Sequence, residues 1–256
     1  MKSVTPIITM TSHNPVVVEG SNLNLTCNVS GTTPLNVKWT RSGKPDVQGM
    51  VYYITNIKRS DEGVYRCTVN NGAECPERSA TTNATVKYPP SIVLSPQNVT
   101  LVEGQHLMLF CNASGHPAPN ITWSKVGGNT VGHGDTFTIG SVVRGHEGSY
   151  RCVVNNGVEC NTDSALTYVT VNYPPNITSP HSNFTVKEGQ NVQLVCTAIG
   201  QPTPNINWTR DGVVVHAGSP FLTPNLTHND DNACYTCIAY NGVPDAKTAN
   251  LFLNVQ

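Results

Sequence analysis

The sequence predicts an all-β chain built as three tandem units of about 85 residues each. Three observations predict it. The first is a shared period. Cys27, Cys111 and Cys196 recur at one interval; Trp39, Trp123 and Trp208 keep the same interval, and Cys67, Cys152 and Cys237 match it to within a single position. Three marker types on one period point to homologous tandem units. The second is period-two alternation. Leu23, Leu25 and Cys27 share one face and Asn22, Asn24 and Thr26 the other; Leu107, Leu109 and Cys111, and Val192, Leu194 and Cys196, repeat the pattern. One apolar face at period two is a half-buried antiparallel strand. The third is that no stretch shows a sustained helical period with caps.

Each unit reads in the same order. Glu19-Gly20, Glu103-Gly104 and Glu188-Gly189 supply a turn before the first Cys-bearing strand. Val37 with Trp39, Ile121 with Trp123, and Ile206 with Trp208 give the inward side of the next strand. A corner then leads into the second Cys: Asp61-Glu62-Gly63-Val64-Tyr65-Arg66-Cys67, His146-Glu147-Gly148-Ser149-Tyr150-Arg151-Cys152, and Asp231-Asn232-Ala233-Cys234-Tyr235-Thr236-Cys237. Tyr65, Tyr150 and Tyr235 are expected to bond back to the turn while each Cys points into a core. The third version has Ala233 where the turn glycine belongs and a shifted apolar spacing at Leu222 and Leu226, so its corner and preceding strand are expected to be less regular. Tyr88-Pro89-Pro90 and Tyr173-Pro174-Pro175 mark the borders. Paired prolines favour a short, stiff, extended connection. The expected units are 4–87, 88–172 and 173–256, laid end to end as a rod.

Bulk composition narrows the function classes. Formal net charge is −1 and 12% of residues are charged, which leaves no electrostatic footprint for nucleic acid or an acidic membrane surface. Nine cysteines suggest an oxidising compartment. No apolar run is long enough to span a bilayer, and the start Met1-Lys2-Ser3-Val4-Thr5-Pro6 has no apolar signal core. The stretch is therefore expected to be part of a longer extracellular protein, with any membrane attachment through another segment. The eight histidines are scattered, and no nucleophile motif, phosphate loop or ligand cluster is seen. No catalytic residue, metal site or cofactor is expected.

A Cys, a Trp twelve positions on, and a Tyr-x-Cys resemble the immunoglobulin superfamily, and do so three times across essentially the whole chain. The resemblance implies Greek-key β-sandwiches with each Trp packed on an inter-sheet disulfide. It pairs Cys27 with Cys67, Cys111 with Cys152, and Cys196 with Cys237. A separation of about 40 residues within each pair is similar to the compact I-set or C2-set, which lack the extra strands of the variable type. Three such units joined by Tyr-Pro-Pro look like adhesion molecules of the IgLON and lachesin type; receptor tyrosine kinase ectodomains and hemicentin-like matrix proteins carry similar modules. Reduced core cysteines, as in intracellular muscle arrays, are the alternative. Closing a loop of this size stabilises by roughly 4 kcal/mol in the chain-entropy account.

Cys75, Cys160 and Cys234 are left over. Cys75 and Cys160 follow Asn-Gly hairpin turns at matching places. There a cross-strand bond to Cys67 or Cys152 competes with free thiols or bonds to another chain or domain. Ten Asn-x-Ser/Thr sequons begin at Asn24, Asn28, Asn83, Asn98, Asn112, Asn120, Asn176, Asn183, Asn207 and Asn225. Glycans there would supply the hydration that charges do not. In the first unit Asn24 and Asn28 would cover one sheet. On the opposite sheet Lys38, Thr40, Arg66, Thr68 and Asn70 are expected to point outward, with Asn83 the one sequon. In the third unit Asn207 sits amid the corresponding face. The first unit's face is thus the candidate surface for a protein partner, homophilic or heterophilic, with no nucleic acid or small-molecule substrate.

Overall fold

A computed structural model describes residues 5–10, 12–72, 76–159, 161–179 and 183–256. It is all-β apart from three single-turn 3₁₀ segments, Arg59–Asp61, Arg144–His146 and His228–Asp230. Each unit is two facing sheets. In the first, Ile7–Met10, Leu23–Ser30 and Val51–Ile54 form one sheet in that order. The other runs Val16–Val18, Arg78–Leu94, Gly63–Asn70, Asn36–Thr40 and Val47–Gln48, the first pair parallel and the rest antiparallel.

The period-two alternation is what puts a core between the sheets. Along Leu23–Ser30 the apolar Leu23, Leu25 and Cys27 are buried, while Asn24 and Asn28 are exposed. The three cores follow one plan: Cys27, Cys67 and Trp39; Cys111, Cys152 and Trp123; Cys196, Cys237 and Trp208, all essentially without solvent contact. The bonded cysteine pairs hold the sheets with Cα atoms 6.4, 6.5 and 6.4 Å apart. A further aromatic completes each core. Tyr52 lies 6.3 Å from Trp39 and 5.3 Å from Tyr65; Phe137 lies 6.0 Å from Trp123 and 5.5 Å from Tyr150; Phe221 lies 6.5 Å from Trp208 and 6.0 Å from Tyr235. Edge-on and offset contacts at this range add to the burial of the rings.

The unit borders fall inside strands. Arg78–Leu94 pairs with Gly63–Asn70 through its first half and with Asn112–His116 through its second, so the last strand of one unit becomes the first of the next. Thr162–Ile177 does the same at the second border. Both Tyr-Pro-Pro motifs lie in these continuous strands, where the proline rings fix φ. Two contacts recur at each border. Arg59 stacks over the Tyr88 ring and Arg144 over the Tyr173 ring, each with its guanidinium carbon 3.9 Å from the ring centre. Asn156 donates from Nδ2 to the Tyr88 and Pro117 carbonyls, and Asn241 donates to those of Tyr173 and Pro202, at 2.8–2.9 Å. Beneath these amides a Cβ on Gly115 would come within 2.8 Å of Pro119, and one on Gly200 within 2.9 Å of Pro204. The close approach of the two chain segments requires glycine there.

Candidate functional site

The corner preceding the second cysteine sets the geometry of the exposed sheet. In the first unit the Asp61 carboxylate accepts the Lys58 amide at 2.9 Å, which closes the 3₁₀ turn, and pairs with Arg41 Nη1 at 3.1 Å. Burial raises the Asp61 carboxyl's pKa, but the Lys58 amide and the charges of Arg41 and Lys44 outweigh it and leave the group below its ordinary value. Tyr65 donates to the Asp61 carbonyl at 2.7 Å. Its hydroxyl is pushed up to about 12, first by burial, and so stays a donor. In the second unit His146 replaces the carboxylate: its Nδ1 accepts the Val143 amide at 3.0 Å, Lys125 donates to Gly145 O, and Tyr150 donates to His146 O at 2.9 Å.

The third corner requires a correction to the register read from sequence. Asp230, not Asp231, takes the part of Asp61: it accepts the Thr227 amide and pairs with Arg210. Asp231 matches Glu62 and Glu147, because its carboxylate accepts the Val255 amide as theirs accept Val86 and Val171. One extra residue therefore lies between turn and cysteine. Asn232, at φ 59°, makes the bend that Gly63 and Gly148 make at 133° and 135°. Tyr235 is consequently not a corner of the same kind. Among the described residues its hydroxyl makes no bond to the turn carbonyl, although Arg210 lies over its ring at 5.7 Å as Arg41 lies over that of Tyr65 at 4.9 Å. The neighbouring strand is short, Phe221–Leu222, against Val51–Ile54 and Thr136–Ile139. Trp39 and Trp123 donate to the Met50 and Gly134 carbonyls, whereas buried Trp208 Nε1 finds no partner among the described residues.

On the candidate partner face the strands bring the named residues into rows. Thr40 lies beside Arg66 and Arg66 beside Thr81; Lys38 beside Thr68 and Thr68 beside Ser79; Asn36 beside Asn70. The rows are cross-linked: Lys38 pairs with Asp46 at 3.1 Å, Arg66 donates to Ser79 Oγ at 2.8 Å, and Asn36 donates to Asn70 at 3.3 Å. Thr68 is a correction. Strand alternation directs it outward, yet it is 7% exposed, with its hydroxyl donating to Lys38 O. It stands in the middle of a central row, between Lys38 and the Ser79 to which Arg66 reaches. Lys38 and Thr40 are half-buried, Arg66 is exposed and Asn70 is half-buried.

Nine sequon asparagines are exposed and Asn207 is half-buried. Asn98 and Asn183 also hold backbone in place. Each carboxamide oxygen accepts an amide of the last strand, from Tyr168 and Phe252, as Asn14 does from Asn83. Cys234 is unbonded and half-buried on Cys234–Tyr240. Cys75 and Cys160 lie outside the described residues. Among the described residues no group of three or more His, Cys, Asp or Glu could hold a metal, and no helix is long and apolar enough to cross a membrane. Sequence reasoning misses Tyr52, Phe137 and Phe221, although they fall on the same period as the other markers.

A profile of the immunoglobulin domain matches residues 5–71, 89–156 and 174–241. The Homo sapiens peroxidasin homolog is 30% identical over 269 residues, covering 95% of this chain and 18% of that protein. IgLON family member 5 of Homo sapiens is 31% identical over 226 residues, covering 80% of this chain and 66% of that protein. Mus musculus hemicentin-1 is 30% identical over 276 residues, covering 95% of this chain and 5% of that protein. The chain thus spans less than a fifth of the peroxidasin homolog and a small part of hemicentin-1. Among solved structures, an I-band fragment of titin matches 100% of this chain and 99% of its own with a TM-score of 0.73 at 18% identity, which shows the fold. The complex of Dpr2 with DIP-Theta gives 0.64 at 23% identity, covering 98% of this chain and 100% of that one. With three profile matches across most of its length, the chain belongs to the immunoglobulin-domain family and resembles the IgLON-type adhesion molecules.

Proposed function

We propose that this stretch is an extracellular protein-binding array for adhesion or recognition between cells, and that the first unit's Lys38–Arg66–Asn70 face makes the contact. The observation that carries the reading is the placement of sequons. On the first unit's face the sole sequon, Asn83, pairs with Val64, below the rows of Arg66 and Lys38. In the third unit Asn207 occupies the position that Lys38 has in the first, directly before the core Trp. A glycan there would exclude a protein partner. The cross-linked rows favour binding because little side-chain freedom remains to be lost on contact. Members of this fold meet other proteins in the Dpr2 and DIP-Theta complex.

Binding rather than catalysis is the activity proposed. A Homo sapiens relative named as an oxidoreductase is 27% identical over 93% of this chain, but the match covers 18% of that protein, so its named activity does not pass to the shared stretch. Three disulfides and ten sequons support an extracellular setting over an intracellular muscle-type array despite the titin likeness, which is one of fold alone. The hemicentin-1 match favours a second reading, a segment of a repeat-rich matrix protein. Arg66→Glu in the first unit, assayed by cell aggregation, tests the face: a loss of aggregation of tenfold or more with unchanged thermal stability is expected. Wild-type aggregation would overturn it.

A further inference from the structure

The sheet opposite the candidate face is oddly apolar on its outside. Val51 and Tyr53 are 46% and 57% exposed. They lie on Val51–Ile54, one of the two edge strands of the three-stranded sheet. An exposed apolar edge strand is a template for pairing with another chain unless something covers it. The register shows what stands beside it. Asn24, an exposed sequon asparagine, is the direct cross-strand partner of Tyr53, and Thr26 of the same sequon is the partner of Val51. Directly opposed residues on one face have Cβ atoms about 5 Å apart.

The same juxtaposition recurs on other ladders. Asn83 opposes Val64, Asn112 opposes Leu94, and Asn176 opposes Ile199, each apolar partner being half or more exposed. Asn28, which opposes the exposed polar Thr9, departs from this pattern, and so does Asn120, which opposes the exposed polar Asn155. Asn120 serves as an internal control.

We infer that an N-linked glycan at Asn24 packs back onto this chain, its first N-acetylglucosamine lying over the Tyr53 ring and covering the outer side of the edge strand. The pyranose has a face of C–H groups and an acetamide methyl, both suited to the electron-rich face of an aromatic ring. Its hydroxyls then present to water what the exposed apolar side chains do not. The site rests on Asn24 being an occupied sequon and is independent of which partner the opposite face binds.

The test uses the full chain secreted from cells that glycosylate. Glycopeptide mass spectrometry reads occupancy of Asn24, and an endoglycosidase trims the glycan to the first sugar. In the NMR spectrum of that protein the acetamide methyl at Asn24 should shift upfield and show a nuclear Overhauser contact with the Tyr53 ring. Thermal unfolding of Asn24→Gln, Tyr53→Ser and the double variant should be non-additive: Tyr53→Ser lowers the melting temperature by a few degrees with the sugar present and by less without it. Asn120→Gln should leave the melting temperature unchanged. An unoccupied Asn24, an unshifted methyl, or additive variants would overturn the inference. Loss of cell aggregation on Arg66→Glu would stand in any of those cases.

Discussion

The first and third corners are built from the same parts and end differently. Both place an aspartate at the end of a 3₁₀ turn, where it accepts the amide three residues back and holds an arginine from the Trp-bearing strand or its end. In the first, the tyrosine hydroxyl reaches the turn carbonyl and the indole N–H finds a backbone acceptor. In the third, one inserted residue lengthens the path between turn and strand, and among the described residues the tyrosine hydroxyl makes no bond to the turn carbonyl. Separately from the corner, the indole N–H, whose counterparts bond to the carbonyls of Met50 and Gly134, finds no partner among those residues. The disulfide and its Trp are indifferent to the change, because the sheets fix them and the corner does not. The corner is therefore a local reinforcement whose quality can vary while the sandwich persists.

The largest expected effect comes from the arginine. The Arg41 side chain is 9% exposed and that of Arg210 is 32% exposed. Arg41→Met leaves the buried Asp61 carboxylate only the exposed Lys44 at 3.6 Å and removes the bonds of Arg41 to the Ser60 and Glu62 carbonyls, and should cost about 3 kcal/mol in unfolding of the first unit. Arg210→Met, where the arginine is itself more exposed and both the amide and the hydroxyl of Thr227 still hold Asp230, should cost about 1 kcal/mol. Denaturant titration of each unit measures both, and equal losses would erase the distinction.

Next is the tyrosine itself. Tyr65→Phe removes a buried bond and leaves the Asp61 carbonyl short of a partner, at a cost of about 1–2 kcal/mol. Tyr235→Phe leaves no turn carbonyl orphaned and should cost less than half as much. Smaller again is the effect of rebuilding the third corner: deleting Ala233 together with Asn232→Gly would match its length to the first. The expected gain is about 1 kcal/mol, with a new protection of the hydroxyl proton of Tyr235 from exchange.

Much of this is legible in the sequence, and the exceptions have physical reasons. Period-two alternation and the common repeat period locate the strands, because both are consequences of burying one face of a repeated unit. An alignment anchored on Tyr-x-Cys misreads the third corner's register, since an insertion inside a turn leaves strand periodicity untouched. Thr68 is misplaced because alternation gives the direction of a side chain and not what its neighbours lay over it. The stacking of Arg59 on Tyr88 and Arg144 on Tyr173 joins distant stretches of chain at the unit borders, and no local pattern announces such a contact. Asn156 and Asn241 are visible as part of Asn-Gly hairpins, but their grip on the border strand depends on how that strand is shared with the unit before.

The second unit sharpens the comparison through acidity, with the smallest expected effect because burial and attraction oppose each other at Asp61. The carboxyls of Asp61 and Asp230 both sit below their ordinary range; at Asp230 the Thr227 amide is the leading cause. A group whose folded pKa is depressed contributes stability above its unfolded value, about 3.9, and that contribution is lost as pH falls through the folded value. The second unit has His146 in this place and no such carboxylate to protonate. Between about pH 4 and pH 2 the first and third units should therefore lose melting temperature faster than the second. Asp61→Asn should flatten the first unit's decline while lowering its stability at neutral pH, since the amide keeps an acceptor for Lys58 but no charge for Arg41. Site-resolved hydrogen exchange on the intact chain separates the three units, and parallel declines in all of them would assign acid sensitivity to groups outside the corners.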